Sequence, residues 1–491
     1  MKGRKIFNCL ICGVLTFAIL LGTNVSLHAS PTNYTYTYDF WGRPIPSPDA
    51  YRVTAFILGE HLGIGHFSNP QDLFIRDNRI YVVDTGNNRI VILLAHDDAS
   101  HEVYQVIDHV LLNGAPSTFN QPLGIFVSDW GERWIADTRN QRILHIDEQW
   151  RVINEVRDLG YTLPEFEGMD FLPAKLAVDF TGRMFVQALN VNEGLMEFDS
   201  SGEFVGYMGA TPVQVSPIEQ FWRMIATQEQ RERRALFVPT EYNNVTIDHE
   251  GFLFVTTNTG GVDIEPVRRL NAMGDDIMIR NGRTYPIGDL VEGTAAGISG
   301  PSQFIDVAPL PNDTFVAFDR TRGRLFAYDF QGNLLYVFGG SGNREGYFMH
   351  PVALDSMGFA LYALDSRAGA ITRFDLTEYG TLINQALALY RTGQYEASAD
   401  TWQEVLRLNG NFGMAYIGIA RALLRQGYYR EAMRYFRLEF DWIGYGRAFG
   451  FYRRQWAEEN FWIFAIIVLG LLIVPPVVKR VMRVRKEIME A

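Results

Sequence analysis

A strand–turn–strand unit that recurs six times constrains this chain more than any other feature. Ile80-Tyr-Val-Val-Asp84 is followed by Thr-Gly-Asn-Asn-Arg89-Ile-Val-Ile, and Arg133-Trp-Ile-Ala-Asp137 by Thr-Arg-Asn-Gln-Arg142-Ile-Leu. Val316-Ala-Phe-Asp319 and Tyr362-Ala-Leu-Asp365 open two further copies. Degenerate copies centre on Phe185-Val186 and Phe254-Val255, with Ala188 and Thr257 at the Asp position. The six positions fall 53, 51, 69, 62 and 46 residues apart. Periods of this size point to a propeller or a solenoid.

A second signature lies between apolar strands: Asp179-Phe-Thr-Gly182, Asp248-His-Glu-Gly251 and Asp355-Ser-Met-Gly358, with Ser128-Asp-Trp-Gly131 as a variant. The Asp side chain can close such a turn on its own backbone, and the Gly supplies positive φ. Each unit therefore starts with two hairpin-linked strands. A third follows, and the fourth reads Phe204-Val-Gly-Tyr-Met or Leu335-Tyr-Val-Phe.

The units resemble NHL repeats, in which a Pro-led strand precedes a strand ending in Asp and a turn ending in Asn-x-Arg-Ile. Asn69-Pro70, Asp84, Asn87-Asn88 and Arg89-Ile90 carry the resemblance, and the second unit matches nearly as well. It implies a mainly β fold: a six-bladed β-propeller of four-stranded blades over residues 51–376. Unit six lacks a fourth strand, whereas Tyr51-Arg-Val-Thr-Ala-Phe-Ile-Leu58 has no unit of its own. Residues 51–58 should therefore close the ring as the last strand of blade six. Residues 211–236, rich in Gln, Glu and Arg, read as a helical insertion.

Beyond the blades, Arg391-Thr-Gly393-Gln-Tyr395 and Arg425-Gln-Gly427-Tyr-Tyr429 are offset by 34 residues, as are Ala388 and Ala422, and Trp402 and Phe436. This resembles the tetratricopeptide (TPR) repeat, and implies an α-helical region over 380–459. Gly393 and Gly427 are expected where close helix approach leaves little room. In this family the first helix of each repeat faces a binding groove, which makes Gln385, Leu389, Tyr416 and Arg421 the candidate groove residues.

Both ends carry membrane signals. Basic residues 2–5, the apolar run Ile6–Leu21 and small residues up to Ala29 have the order of a secretory signal peptide at 1–29. Residues 30–50 read as a linker. Phe461–Val478 is free of charge and long enough, at about 27 Å as a helix, to cross a bilayer. The basic tail 479–491 then predicts a cytoplasmic C-terminus and an extracytoplasmic body, anchored by a single pass in the cell membrane. Cys9 and Cys12 both fall within the signal, so a processed chain would have no thiol for a disulfide or a metal.

Charge and side-chain chemistry narrow the function. The chain has a net charge of −12, and with both ends basic the segment between them carries −18. That argues against nucleic acid or anionic lipid as a partner of this segment, because phosphate recognition depends on clustered Lys and Arg. The propeller resemblance also implies a possible activity, since some six-bladed propellers are metal-dependent lactonases or lyases. The residue two after the Pro of each first strand gives Asp72, Gly124, Lys175, Asn244, Gln303 and Ala353 around the channel. Of these, Asp72, Lys175, Asn244 and Gln303 are the candidate channel residues. One carboxylate and two amides beside a Lys make a poor site for a divalent ion. The histidines, among them His61, His66, His249 and His350, lack the spacing of a zinc motif. Asp84, Asp137, Asp319 and Asp365 are expected to act within their own blades. Trp41, Trp130 and Trp150 fall in loops and could stack on a sugar. The expectation is a non-enzymatic, cofactor-free binding or scaffold protein for membrane or exported proteins or glycans. The alternative is a lactonase- or lyase-type enzyme acting on an exported sugar derivative.

Overall fold

The computed structural model describes residues 35–157, 170–191, 193–209, 242–257, 265–280, 286–289 and 300–490. The signal segment 1–29 and the expected insertion 211–236 lie outside the described residues.

Six antiparallel sheets form a propeller. Their first strands are Asp72–Arg76, Gly124–Val127, Pro173–Val178, Tyr242–Ile247, Phe304–Leu310 and Pro351–Met357, and these touch one another in ring order. Blade one continues through Arg79–Asp84, Arg89–Ala95 and His101–Ile107, and the other blades repeat this order. In blade four, three strands fall among the described residues. The sixth blade is completed from the other end of the chain. Tyr51–Leu58 runs antiparallel to Ala370–Leu376, from Leu58 opposite Ala370 to Tyr51 opposite Leu376.

The turns explain the regularity. Asp84 accepts from the Ser68 N–H at 2.7 Å, from Asn87 Nδ2 at 2.8 Å and from Arg89 Nε at 2.7 Å. Asp137 repeats the set with Asn120, Asn140 and Arg142. One buried carboxylate thus satisfies the start of its own first strand and fixes the turn into the third. Asp319 and Asp365 likewise hold backbone N–H groups of their own blades. Asp179 and Asp248 close the first hairpin by accepting two downstream N–H groups each. Asp355 departs from this expectation: its carboxylate turns inward, as described below.

Residues 30–50 are not a simple linker. Tyr36–Tyr38 and Pro44–Pro46 form a hairpin that adds to the outer edge of blade five, with Tyr36 opposite Val337. The Tyr36 hydroxyl donates to Asp289 at 2.8 Å, the Tyr38 hydroxyl donates to the same carboxylate, and Arg324 pairs with it. Burial and this carboxylate hold both phenols far above their ordinary pKa.

Six helices follow: α1 Glu378–Arg391, α2 Tyr395–Leu408, α3 Gly413–Gln426, α4 Tyr429–Leu438, α5 Trp442–Glu459 and α6 Phe461–Glu490. The first five pack consecutively. They are not a free stalk. Ile383, Ala386 and Leu387 of α1 share one buried core with Phe338 and Phe374 of blades five and six, and with Trp402 and Ile419 of α2 and α3. Gly393 and Gly427 have φ of +81° and +87° with nothing within 4 Å of an added Cβ. They are required by backbone conformation rather than by crowding. The close approaches occur at Gly418, against the Trp402 indole, and at Gly380, where a Cβ would stand 2.2 Å from the Ala50 carbonyl oxygen. That carbonyl is backbone and cannot yield. Gly380→Val is therefore expected to lift α1 from the propeller at a cost of about 1–3 kcal/mol, read as a lowered Tm and faster proteolysis within α1.

The long apolar helix α6 is the candidate membrane span. The helix carries on beyond the uncharged run Phe461–Val478, through the basic residues, to Glu490. Pro475 and Pro476 sit inside it.

Candidate functional site

The first strand of each blade is a sheet edge facing the channel, paired on one side with the second strand, so every second N–H group points out of its own sheet. Carboxylates from neighbouring blades supply that partner. Asp72 of blade one accepts from the Ile125 N–H of blade two at 2.9 Å. Asp306 of blade five accepts from Leu354 of blade six at 2.7 Å, and Asp355 of blade six from Ile75 of blade one at 2.6 Å. Each bond stitches adjacent blades, and the last one crosses the point where the ring closes. Lys175 of blade three reaches across to pair with Asp72 and donates to the Gln71 carbonyl at 2.9 Å. Asn244 of blade four donates to Asp306. Around these groups remains a cavity of about 30 Å³, the room of about one water.

Three buried carboxylates beside one ammonium set the electrostatics. Burial pushes Asp306 and Asp355 up to about 7, and raises Asp72 although Lys175 opposes the shift. An acid whose pKa is higher folded than unfolded binds its proton more tightly when folded. Its stabilising effect is full below about 4 and is lost as pH rises through 7. From these two groups the propeller is expected to melt higher at pH 5 than at pH 8, by at most about 1.4 kcal/mol per pH unit for each group. Thermal melts across that range check it; a midpoint that rises from pH 5 to pH 8 would contradict it.

Asp72, Lys175 and Asn244 meet in the channel. Gln303 does not. Phe304 stands where the other blades mostly place Pro, so the fifth channel position falls two residues later, to Asp306, rather than to Gln303. Gln303 precedes the strand, where its N–H bonds Asp319 and its side chain accepts from Arg320 at 3.2 Å. Asp306 and Asp355 were missed because one lies in a first strand without a leading Pro and the other carried the signature of a turn. Gly124 holds its position because a Cβ there would meet the Ala174 carbonyl oxygen at 2.2 Å.

The channel residues do not fit a divalent ion. The carboxylates are occupied by backbone N–H groups, and the Lys175 ammonium would share the space with the cation. A second acidic group, His249, Glu250 and Asp313, brings its ligand atoms within 4.8 Å of one another on the surface. Its acids are already paired, Glu250 with Arg269 at 2.7 Å and Asp313 with Arg391.

Above the floor the channel widens into a mouth of about 270 Å³. Gln71, Lys175, Gln187, Asn243, Arg320 and His350 line it with amides, cations and an imidazole, on an apolar wall of Leu123, Leu189 and Val352. The His350 ring is set by a 2.8 Å contact between Nδ1 and the Ser366 hydroxyl. Since first strands run from the mouth inwards and the Pro311–Asp313 turn beneath blade five touches α1, the helices lie at the opposite end of the propeller.

The helical candidates do not form one surface. Gln385 is exposed and Leu389 half-buried on α1. Tyr416 and Arg421 lie about 140° apart around α3. Tyr416 turns to Tyr435 of α4 and donates to the Gly410 carbonyl at 3.1 Å. Arg421 instead lines a cavity of about 450 Å³ with Tyr390, Arg425, Arg447 and Gln331 of blade five. Of the loop tryptophans, Trp150 is buried under the Arg133 guanidinium, 4.8 Å from the ring centre, whereas Trp41 and Trp130 are exposed.

No protein-family model and no curated protein matches the chain. Among solved structures it is similar to virginiamycin B lyase from Staphylococcus aureus, at 9% identity and a TM-score of 0.41 over 67% of this chain and 100% of that one. It is also similar to the Malassezia sympodialis allergen Mala s 1, at 14% identity and a TM-score of 0.37 over 67% of this chain and 97% of that one. A third is an extracellular domain assigned to a hybrid two-component system of B. thetaiotaomicron, at 13% identity and a TM-score of 0.36 over 66% and 42%. Likenesses this distant carry no argument about activity, and the propeller assignment rests on the strand order.

Proposed function

We propose that this chain is a membrane-anchored, extracytoplasmic binding protein of the NHL-propeller and TPR-repeat kind. In this reading the propeller mouth takes a polar ligand, a protein segment or a glycan, and the docked helices hold the propeller at the membrane. The observation that carries it is the division of labour in the channel. The buried ionisable groups are spent on joining blades, while the mouth above them offers amides, Arg320 and His350. The NHL reading is supported by the paired Asp–Asn–Arg networks at Asp84 and Asp137, and the TPR reading by the buried Trp402 and Phe436 at equivalent repeat positions. The acidic body favours partners other than nucleic acid.

The test is capture from native membranes by the intact protein and by a Gln187→Ala, Arg320→Ala double variant of unchanged Tm. Loss of the captured species in the variant supports the mouth as the site. Undiminished capture would move recognition elsewhere, and a stoichiometric divalent ion with lactone-cleaving or lyase activity would favour the enzyme instead. Topology is checked separately. Protease added to intact cells is expected to digest the body and spare a tag after Ala491, and a tag cleaved from outside reverses the orientation.

A further inference from the structure

Helix α5 carries aromatic side chains at Trp442, Tyr445, Phe449, Tyr452 and Trp456. The alternating spacing of three and four places all five within about 80° of one helix face. A separate face, through Gly444 and Ala448, is buried, with Phe436 of α4 against it. Of the stripe, Tyr445 packs against that core with the Arg437 guanidinium 5.5 Å from its ring, whereas Trp442 and Phe449 are not part of it. Trp442 is 58% exposed and Phe449 45%.

The stripe continues beyond α5. Trp442 lies 6.5 Å from Phe440, which lies 4.9 Å from Phe40 and 6.5 Å from Trp41, in the turn of the hairpin on blade five. Phe440 is 45% and Trp41 69% exposed. Phe440 adopts φ +54°, a conformation unfavourable for a bulky side chain. Propeller, helical region and α5 therefore present one run of exposed and half-buried rings, built from segments about 400 residues apart in the chain.

The chain itself indicates what covers this run. Only Asn460 separates α5 from the candidate membrane helix α6, and the Trp456 ring already lies 5.9 Å from Phe464 of α6. Trp and Tyr, with apolar bodies and polar tips, are the side chains suited to the boundary between headgroups and acyl chains. A helix with a ring-bearing face and a charged remainder, here Arg447, Arg453, Arg454, Glu458 and Glu459, suits the same boundary. We infer that α5 and the Phe40–Trp41 turn lie in the interface of the bilayer that receives α6, so that the propeller is held down on the membrane rather than raised above it. This inference rests on the membrane-anchored reading of α6.

The test uses the full chain in phosphatidylcholine–phosphatidylglycerol vesicles, in a Cys9→Ser, Cys12→Ser background. A polarity-sensitive fluorophore is attached in turn to Trp41→Cys, Trp442→Cys, Phe449→Cys, Val468→Cys and Phe180→Cys, each variant first shown to keep its Tm. Quenching is read with nitroxide lipids labelled near the headgroup or near the chain end. Labels at 41, 442 and 449 are expected to be quenched about twofold more by the shallow lipid than by the deep one, the label at 468 by the deep lipid, and the label at 180 by neither. If 468 is quenched and 41, 442 and 449 are as silent as 180, the interface assignment is wrong while the span stands. Silence at 468 as well removes the span and the inference with it. Silent labels together with a disulfide between Trp442→Cys residues of two copies would also overturn it, giving the stripe to self-association.

Discussion

Deleting residues 51–58 is expected to leave no folded propeller. The segment is the outer strand of the blade that closes the ring, paired along its length with Ala370–Leu376. Without it that strand becomes an open edge available to other chains. The deletion also strips the core. Tyr51 is fully buried, its ring lies 4.9 Å from Phe338, and its hydroxyl donates to the Phe359 carbonyl at 3.0 Å. Just before the strand, the Asp49 and Ala50 carbonyls receive Thr377, which caps α1. Ring closure and helix docking are thus joined at one point. The single change Tyr51→Ala should already cost about 3–5 kcal/mol. The deletion should yield aggregated protein without a cooperative melt. Removal of residues 36–46 is expected to be costly too, because the buried Tyr36 and the Asp289–Arg324 pair lose their neighbour. A soluble deletion of 51–58 that melts cooperatively near the wild-type temperature would refute closure by this strand.

Replacing Lys175 should have the second large effect. Lys175 is the cation of a small cavity that also holds Asp72, Asp306 and Asp355. Lys175→Met leaves Asp72 buried and unpaired, and breaking a buried ion pair from one side costs about 3–5 kcal/mol. The loss should depend on pH. With the ammonium gone Asp72 and Asp306 are pushed further up, so the variant should recover part of its deficit at pH 5, where they protonate, and show its full deficit at pH 8. Adding Asp72→Leu should restore part of the stability by removing the stranded charge. Denaturant unfolding of the three proteins at both pH values decides it. An equal loss at pH 5 and pH 8, unrelieved by the second substitution, would mean that Lys175 acts through packing alone.

The turn chemistry and the repeat count were legible in the sequence because they are local. Asp84, Asn87 and Arg89 lie within five residues of one another, and the carboxylate that joins them works inside one blade. The helix pairs were equally legible through a 34-residue offset. The orphan strand 51–58 could be placed by counting, since one blade lacked a strand and one strand lacked a blade. The helical candidates fared less well. Knowing which helices exist does not say which side of α3 meets a propeller, and Tyr416 and Arg421 face different neighbours.

By itself, the sequence determined what each segment becomes: strands of period two, turns closed by Asp and Gly, amphipathic helix pairs and an apolar helix near the end. The tertiary structure alone decided what the ionisable groups do. Asp355 bonds Ile75 across 280 residues, and Lys175 pairs with Asp72 across 103. Such contacts exist only once the ring has closed. Side chains alternate between faces along a strand, so a small error of register changes which residue reaches the channel. Gln303 and Asp306 differ by three positions, and only the pairing of Phe304 with Asp319 shows which of them faces the centre.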